Sequence, residues 1–172
     1  MAKRVISFSL SESSINNAIE ELEKYKSDLI YKTSLLQEKI AKAIEDNTKR
    51  NFQNAVVDVL MNGSSRSAKV DITVETRENG TVVIAKGEDA VFVEFGAGVY
   101  YNGPVGQSPH QNGASLGFTI GSYGHGWGAR DVWGFYKDNE LQLTHGTPAT
   151  MPIYNAVKTV CGEIANIARE VF

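Results

Sequence analysis

Glycine is distributed unevenly along this chain of 172 residues, and the distribution limits what each part can fold into. Residues 1–62 contain neither glycine nor proline, whereas eleven of the 16 glycines lie between Gly96 and Gly134. The first third therefore has no residue that breaks a helix. The later segment has the adaptable backbone of a loop. The sequence predicts a regular scaffold that carries a long glycine-rich insertion.

Apolar periodicity predicts helices at both ends of the chain. Ile15, Ile19 and Leu22 recur at helical spacing, and a second stretch at about residues 28–57 continues the pattern. Near the other end, Pro152 is typical of a first helical turn, where its missing amide costs nothing. The most regular apolar stripe follows it, at Ile153, Val157, Val160, Ile164, Ile167 and Val171. We expect two N-terminal helices and one C-terminal helix, with heptads too irregular to favour a coiled coil.

Alternating residues between the helices predict strands. Val70, Ile72 and Val74 alternate with polar residues, and Asn79-Gly80 is typical of a type I′ hairpin turn. A second hairpin is predicted around Asp138-Asn139. Residues 90–95 fit a strand or a helix equally well. The expected fold class is α+β: an antiparallel sheet of hairpins packed by two N-terminal helices and one C-terminal helix, in a single domain of residues 1–172.

Residues 95–129 contain no charged side chain, although 22% of the whole chain is charged. The segment combines glycines with aromatic rings, which is typical of an adaptable contact loop and not of a disordered linker. The alternative is a long loop folded over its own domain. We predict that residues 96–128 form an extended arm. The predicted interface residues are Phe95, Gly96, Gly98, Tyr100, Tyr101, Phe118, Tyr123, Trp127 and Trp133.

Composition argues against several classes of protein. The single cysteine, Cys161, allows no intramolecular disulfide and no cysteine-based zinc cage, and its place within the C-terminal helix predicts a buried or half-buried structural residue. A net charge of −3 argues against a general nucleic-acid binder. No apolar run approaches the roughly 18 residues of a membrane span. We expect no cofactor and no metal.

Signals for catalysis are weak. The only histidines, His110, His125 and His145, have Asp131 nearby, and a metal-dependent hydrolase that uses these four residues is the alternative to a structural role. No metal-binding motif accompanies them. A further alternative is a ligand-binding module that uses the aromatic loop. The sequence favours a protein that is not an enzyme.

Two short motifs carry a resemblance to a known family. Residues 91–98 read Val-Phe-Val-Glu-Phe-Gly-Ala-Gly, and residues 145–153 read His-Gly-Thr-Pro-Ala-Thr-Met-Pro-Ile. In this order, with helices on both sides, they resemble the neck or tail-completion family of long-tailed phages, often described as minor tail components. Ala97 and Thr150 stand where members of the family often have Thr and Arg.

The resemblance implies a structural virion protein at the head–tail junction, assembled as a subunit of a ring. Its partners would be further copies of the chain and the neighbouring neck and tail proteins, with no membrane, and with DNA only if the subunit lines the channel. It would be found in the virion, and in the host cytoplasm during assembly.

Within the motifs, the residues themselves indicate architecture. Glu94 lies between apolar neighbours and is interpreted as a hydrogen-bonding acid that fixes the turn at Gly96 and Gly98, since an isolated buried carboxylate is costly. Pro148 and Pro152 set the approach to the last helix by fixing φ.

Overall fold

In the computed structural model of the chain, residues 5–97, 108–116 and 132–172 are described. The fold combines helices with antiparallel strands, which confirms the predicted α+β class. The α-helices in these ranges are α1 (Glu12–Gln53), α2 (Ala90–Phe95) and α3 (Pro152–Val171). The stretch that fitted a strand or a helix equally well is therefore the helix α2.

The prediction of two N-terminal helices is wrong, because both apolar stretches belong to α1. Ser27 and Asp28, where the second stretch begins, are in the interior of the helix. Nothing in the backbone chemistry of this region interrupts the intrahelical hydrogen bonds. The 42 residues of α1 extend over about 63 Å. Within the described ranges, every helix is too short or too polar to cross a lipid bilayer.

Short strands in the same ranges form three antiparallel sheets. The strands are β1 (Val56–Val57), β2 (Val59–Leu60), β3 (Arg66–Ser67), β4 (Asp71–Arg77), β5 (Gly80–Lys86), β6 (Trp133–Lys137) and β7 (Glu140–Gly146). β1 pairs with β3, β4 pairs with β5, and β7 lies between β2 and β6. Both predicted hairpins are present, but they belong to different sheets. β4 and β5 form a sheet of their own, whereas β6 and β7 share a sheet with β2, which lies in the connection after α1.

The two hairpins differ in their turns. Asp138 and Asn139 have φ angles of 53° and 64°, as a type I′ turn requires. In the first hairpin Arg77 pairs with Gly80, so that the turn residues are Glu78 and Asn79. The positive φ of 141° lies at Gly80, within the strand. The type I′ turn expected at Asn79-Gly80 is therefore wrong, because the strand register moves the turn by one residue.

α3 runs antiparallel to the second half of α1. The side-chain amide of Asn51, near the end of α1, donates to the carbonyl of Pro152 at 2.9 Å. Lys39 pairs with Glu170, near the end of α3, at 2.9 Å. These two contacts align the helices over the whole length of α3.

Only part of the predicted apolar stripe of α3 is buried. The buried side chains are Pro152, Ala156, Val160 and Val171. Val157 and Ile164 are exposed, and so is Cys161, which the sequence predicts to be buried or half-buried. That expectation is wrong because Cys161 follows Val160 and points about 100° further round the helix, away from α1.

The hydrophobic core lies where the end of α1 meets β1, β4 and α2. It consists of Phe52, Ala55, Val57, Ile72, Ala90 and Val93. Ile153 of α3 packs against the edge of this cluster. The core therefore lies directly beneath the connection between α2 and α3.

An ion pair between the exposed Arg66 and the buried Asp89 lies beside this core. Nη1 and Nη2 of Arg66 donate to the two carboxylate oxygens of Asp89 at 2.7 and 2.8 Å. The backbone N–H of Lys69 donates to the same carboxylate at 2.8 Å, and Nε of Arg66 donates to Asp58 at 2.7 Å. The hydrogen bonds from Arg66 are the main reason why the pKa of Asp89 lies below its ordinary value of 3.8. Because Asp89 precedes α2, the pair fixes β3 to the start of that helix.

The substitution Asp89→Asn tests this pair. Because the Arg66 side chain is 43% exposed, solvent screens the interaction and limits the expected loss of unfolding free energy at pH 7 to about 2 kcal/mol. The folded-state pKa is depressed, so the contribution of Asp89 is fully present above about pH 5 and is lost as the pH falls through 3.8 towards the folded value.

Urea denaturation at pH 7 and at about pH 3 measures the effect. The difference between wild type and Asp89→Asn should shrink in acid. Asp71→Asn, at an exposed carboxylate on β4, is the matched control and should change stability by less than about 0.5 kcal/mol. A difference that is independent of pH would contradict the assignment.

Candidate functional site

The two sequence motifs meet where α2 passes into the following loop and the chain approaches α3. Ala97 and Thr147 exchange both backbone hydrogen bonds of an antiparallel bridge, at 2.9 and 3.0 Å. The carbonyl of Val93 accepts from the backbone N–H of Thr150 at 3.0 Å. The motifs, which are separated by the uncharged segment in the sequence, thus form one joint between α2 and α3.

The carboxylate of Glu94 holds the first turn of α3. Its Oε2 accepts from the backbone N–H of Ile153 at 2.8 Å, and its Oε1 accepts from the backbone N–H of Tyr154 at 2.9 Å. A helix leaves these amides without internal partners, and the partial positive charge at its N-terminus favours an anion. The N-cap residue, Met151, supplies no side-chain hydrogen bond. Glu94, which lies on α2, therefore caps α3 in place of a local side chain.

His110 closes this arrangement from the uncharged segment. Its Nε2 lies 3.3 Å from Oε1 of Glu94, and its Nδ1 accepts from the backbone N–H of Asn112 at 3.0 Å. Since Nδ1 is an acceptor, these contacts assign the proton of the neutral ring to Nε2, which faces the carboxylate. The ring lies 4.6 Å from that of Phe95 and 5.2 Å from that of Tyr154, between centroids. Both ring nitrogens are engaged within the protein.

Residues 108–116 are attached to the joint by further contacts. The hydroxyl of Ser108 donates to the carbonyl of Phe95 at 2.6 Å and accepts from the backbone N–H of His110 at 3.2 Å. Gly113 passes so close to Ser108 that a Cβ atom on it would lie 2.4 Å from the Cβ of Ser108. A single 3₁₀ turn, Ala114–Leu116, ends this part of the chain. Part of the uncharged segment is therefore packed on its own domain.

An open groove of about 600 Å³ adjoins the joint. Its walls are mainly apolar and come from α2, α3 and the attached segment, including Val91, Phe95, His110, Tyr154 and Val157. Lys158 contributes a cation at one edge. Four motif residues, Val91, Glu94, Phe95 and Ile153, line this groove.

The structure brings some predicted residues together and leaves others outside its description. Phe95 lines the groove, Gly96 is buried after α2, and Pro152 is the buried first residue of α3. Pro148 is half-buried, and Trp133 begins β6. Gly98, Tyr100, Tyr101, Phe118, Tyr123 and Trp127 lie outside the described residues, as do His125 and Asp131.

The hydrogen bonds of Glu94 differ from the sequence interpretation. Both backbone donors that the structure describes for it belong to α3 and not to the turn at Gly96. That turn has its own bond, from the N–H of Gly96 to the carbonyl of Phe92 at 2.8 Å. The acid thus joins two helices that are far apart in the sequence.

The sequence reasoning missed the part that Ser108, Asn112 and Gly113 play at this site. The pairing of Arg66 with Asp89 was missed as well. None of these residues stands in a periodic or motif-like pattern. Their roles depend on backbone amides and carbonyls, which leave no trace in side-chain patterns.

The residues proposed for a metal-dependent hydrolase are only partly described. His110 is engaged with Glu94 and Asn112, and His145 lies on β7. Among residues 5–97, 108–116 and 132–172, no three His, Cys, Asp or Glu side chains converge in a way that suits a metal ion. The described part of the chain therefore offers no support for this alternative.

Comparison of the chain with known protein families, with characterised proteins and with solved structures gives no match. The resemblance to the phage family therefore stays a prediction.

The substitution Glu94→Gln tests the helix-capping role. The Gln side chain has one acceptor oxygen, whereas the carboxylate of Glu94 has two. One backbone N–H of α3 would therefore face the NH2 group of the amide, which is itself a donor, in a buried site. We expect the unfolding free energy to fall by about 2 kcal/mol. Urea denaturation measures the change, and Glu163→Gln, at an exposed position of the same helix, should have an effect below about 0.5 kcal/mol. Equal effects of the two substitutions would contradict the role.

The substitution Gly113→Ala tests the attachment of residues 108–116. The added methyl group requires a displacement of Ser108, and the bond from Ser108 to Phe95 should break. Hydrogen exchange at the amides of Asn112 and Gly113 should then accelerate by about tenfold or more, while exchange in α1 stays unchanged.

Gly162→Ala is the matched control for this experiment, because an added Cβ meets no atom within 4 Å there. That substitution should stabilise α3 by about 0.5–1 kcal/mol. Unchanged exchange at Asn112 and Gly113 in the Gly113→Ala variant would show that the segment is not held by this contact.

Proposed function

We propose that the chain is a structural subunit of a long-tailed phage virion, located at the head–tail junction and assembled there into a ring. One observation carries the proposal. The two motifs on which the family resemblance depends lie in direct contact, through the bridge between Ala97 and Thr147 and through the bonds from α3 to Glu94. Motifs that form one joint are expected to serve a common purpose, and here that purpose is to fix α2 against α3.

The chemistry of the joint supports an architectural role. Both carboxylate oxygens of Glu94 accept backbone amides, and both nitrogens of His110 are engaged. A general base needs an acceptor within reach of the proton that it abstracts. In this joint the acid and the histidine instead satisfy backbone groups and each other.

The contact between subunits is assigned to the uncharged segment. Residues 108–116 attach the middle of that segment to the joint, and the stretches 98–107 and 117–131 lie on either side of them in the sequence. Aromatic side chains are enriched in the centres of protein interfaces, and charged ones are depleted there. The predicted contact residues in these stretches are Tyr100, Tyr101, Phe118, Tyr123 and Trp127.

The test is made in the phage or prophage that encodes the chain. A stop codon early in the gene should yield filled heads and separate tails that fail to join, as seen by negative-stain electron microscopy of the lysate. The chain should also be found in purified wild-type virions. Complete, infectious particles without the chain, or a source that is not a phage, would contradict the proposal.

A double substitution separates the contact role from folding. Tyr100→Ser with Tyr101→Ser should reduce the yield of joined particles by at least about tenfold, because an interface aromatic residue commonly contributes about 2 kcal/mol. The isolated protein should keep its unfolding free energy within about 0.5 kcal/mol. Tyr31→Ser with Tyr136→Ser, at two exposed tyrosines of the scaffold, is the matched control and should leave joining intact.

A further inference from the structure

The first half of α1 carries an apolar stripe that nothing in the described structure covers. The stripe consists of Ile15, Ile19, Leu22 and Leu29, whose side chains are 38%, 48%, 55% and 42% exposed. Every residue from 19 to 31 is exposed. A helix in a globular protein normally buries such a face, because most helical stability comes from the packing of an amphipathic face. The stripe therefore indicates an interaction surface.

The stripe continues an interface that already exists in the fold. Steps of seven residues from Leu22 and Leu29 reach Leu36 and Ala43, which are half-buried. This part of α1 is the part that α3 packs against, as the contact between Lys39 and Glu170 shows. One face of α1 is thus covered by a helix over its second half and uncovered over its first half. Another helix is the occupant that fits the same kind of surface.

The charges along the stripe favour a second, antiparallel copy of this segment as the partner. Residues 12–23 carry Glu12, Glu20, Glu21 and Glu23 and no basic residue. Residues 24–32 carry Lys24, Lys26 and Lys32 with the single acid Asp28. A second copy of this segment in antiparallel orientation places each acidic block beside a basic one. A parallel copy in register would place like charges side by side, which is unfavourable.

We propose that two copies of the chain pair through the first halves of their α1 helices, antiparallel and related by a twofold axis at Leu22. In this arrangement Leu22 meets its own counterpart, and Ile15 of one copy lies at the level of Leu29 of the other. At the same time Glu12 lies at the level of Lys32. The apolar residues and two charge pairs, Glu12 with Lys32 and Glu20 with Lys24, are therefore self-complementary, as an isologous interface requires, whereas Glu21 lies at the level of Glu23.

The pair is a closed unit, so it describes the free protein and not the contact around a ring. It does not rest on the virion assignment. The oligomeric state of the purified chain tests the pairing, whereas particle joining tests the proposed function, and each can fail alone.

Sedimentation equilibrium of the purified full chain, between about 1 and 100 μM, tests the pairing directly. We expect a dimer. Leu22→Glu places two carboxylates together on the axis and should raise the dimer dissociation constant by at least about tenfold. Tyr31→Glu, on the opposite face of α1 and 66% exposed, is the matched control and should leave the constant unchanged. Both positions are exposed, so the folded content by circular dichroism should stay at the wild-type value.

Cysteine cross-linking tests the orientation, in a Cys161→Ser background because the native thiol is exposed. Leu22→Cys should cross-link to itself under mild oxidation. Ile15→Cys alone should not, since the two copies of residue 15 are about 21 Å apart along the antiparallel pair. A mixture of Ile15→Cys and Leu29→Cys chains should form the mixed dimer.

Three outcomes would overturn the proposal. A monomer throughout the concentration range shows that a second copy does not cover the stripe. A dimer or larger ring that withstands Leu22→Glu shows that the copies meet elsewhere. Self-cross-linking of Ile15→Cys shows that the helices are parallel.

Discussion

The buried carboxylate of Glu94 is the interaction on which the rest of the structure depends. It accepts two amides from the start of α3, and α3 in turn covers the second half of α1. The hydrophobic core is directly beneath this joint, and Ile153 connects the two. Without an anion at this point, the first turn of α3 would leave buried donors unpaired, at a cost of about 1–3 kcal/mol for each group. One side chain thus sets the position of α3 on α1.

Patterns that repeat along the chain made the fold class predictable. The periodicity of the last helix, the alternation in the first hairpin and the turn residues of the second predicted these elements, although only part of the apolar stripe of α3 is buried. The error in the first third has the same origin. The apolar stripe weakens around Ser27 and Asp28, but a helix ends only where backbone chemistry stops it, and no residue there does so. The hairpin turn at Glu78-Asn79 was misplaced because register depends on pairing between strands.

The joint itself was only half predictable. The position of Glu94 between apolar residues predicted that its carboxylate would be buried and hydrogen-bonded. Its hydrogen-bond partners could not be predicted from the sequence, since Ile153 and Tyr154 contribute backbone amides and not side chains. For the same reason, the sequence did not predict the roles of Ser108 and Gly113. The uncharged composition of residues 95–129 marked the region as unusual, but composition alone does not show that residues 108–116 are packed on the joint.

The alignment of α1 with α3 has a consequence for the synthesis of the chain. Lys39 and Glu170, which pair across the two helices, are 131 residues apart in the sequence. The face of α1 that α3 covers therefore stays bare on the ribosome until α3 has been made, and contacts of such long range form slowly. During that interval the nascent chain displays an apolar helix face, which makes α1 a natural binding site for molecular chaperones.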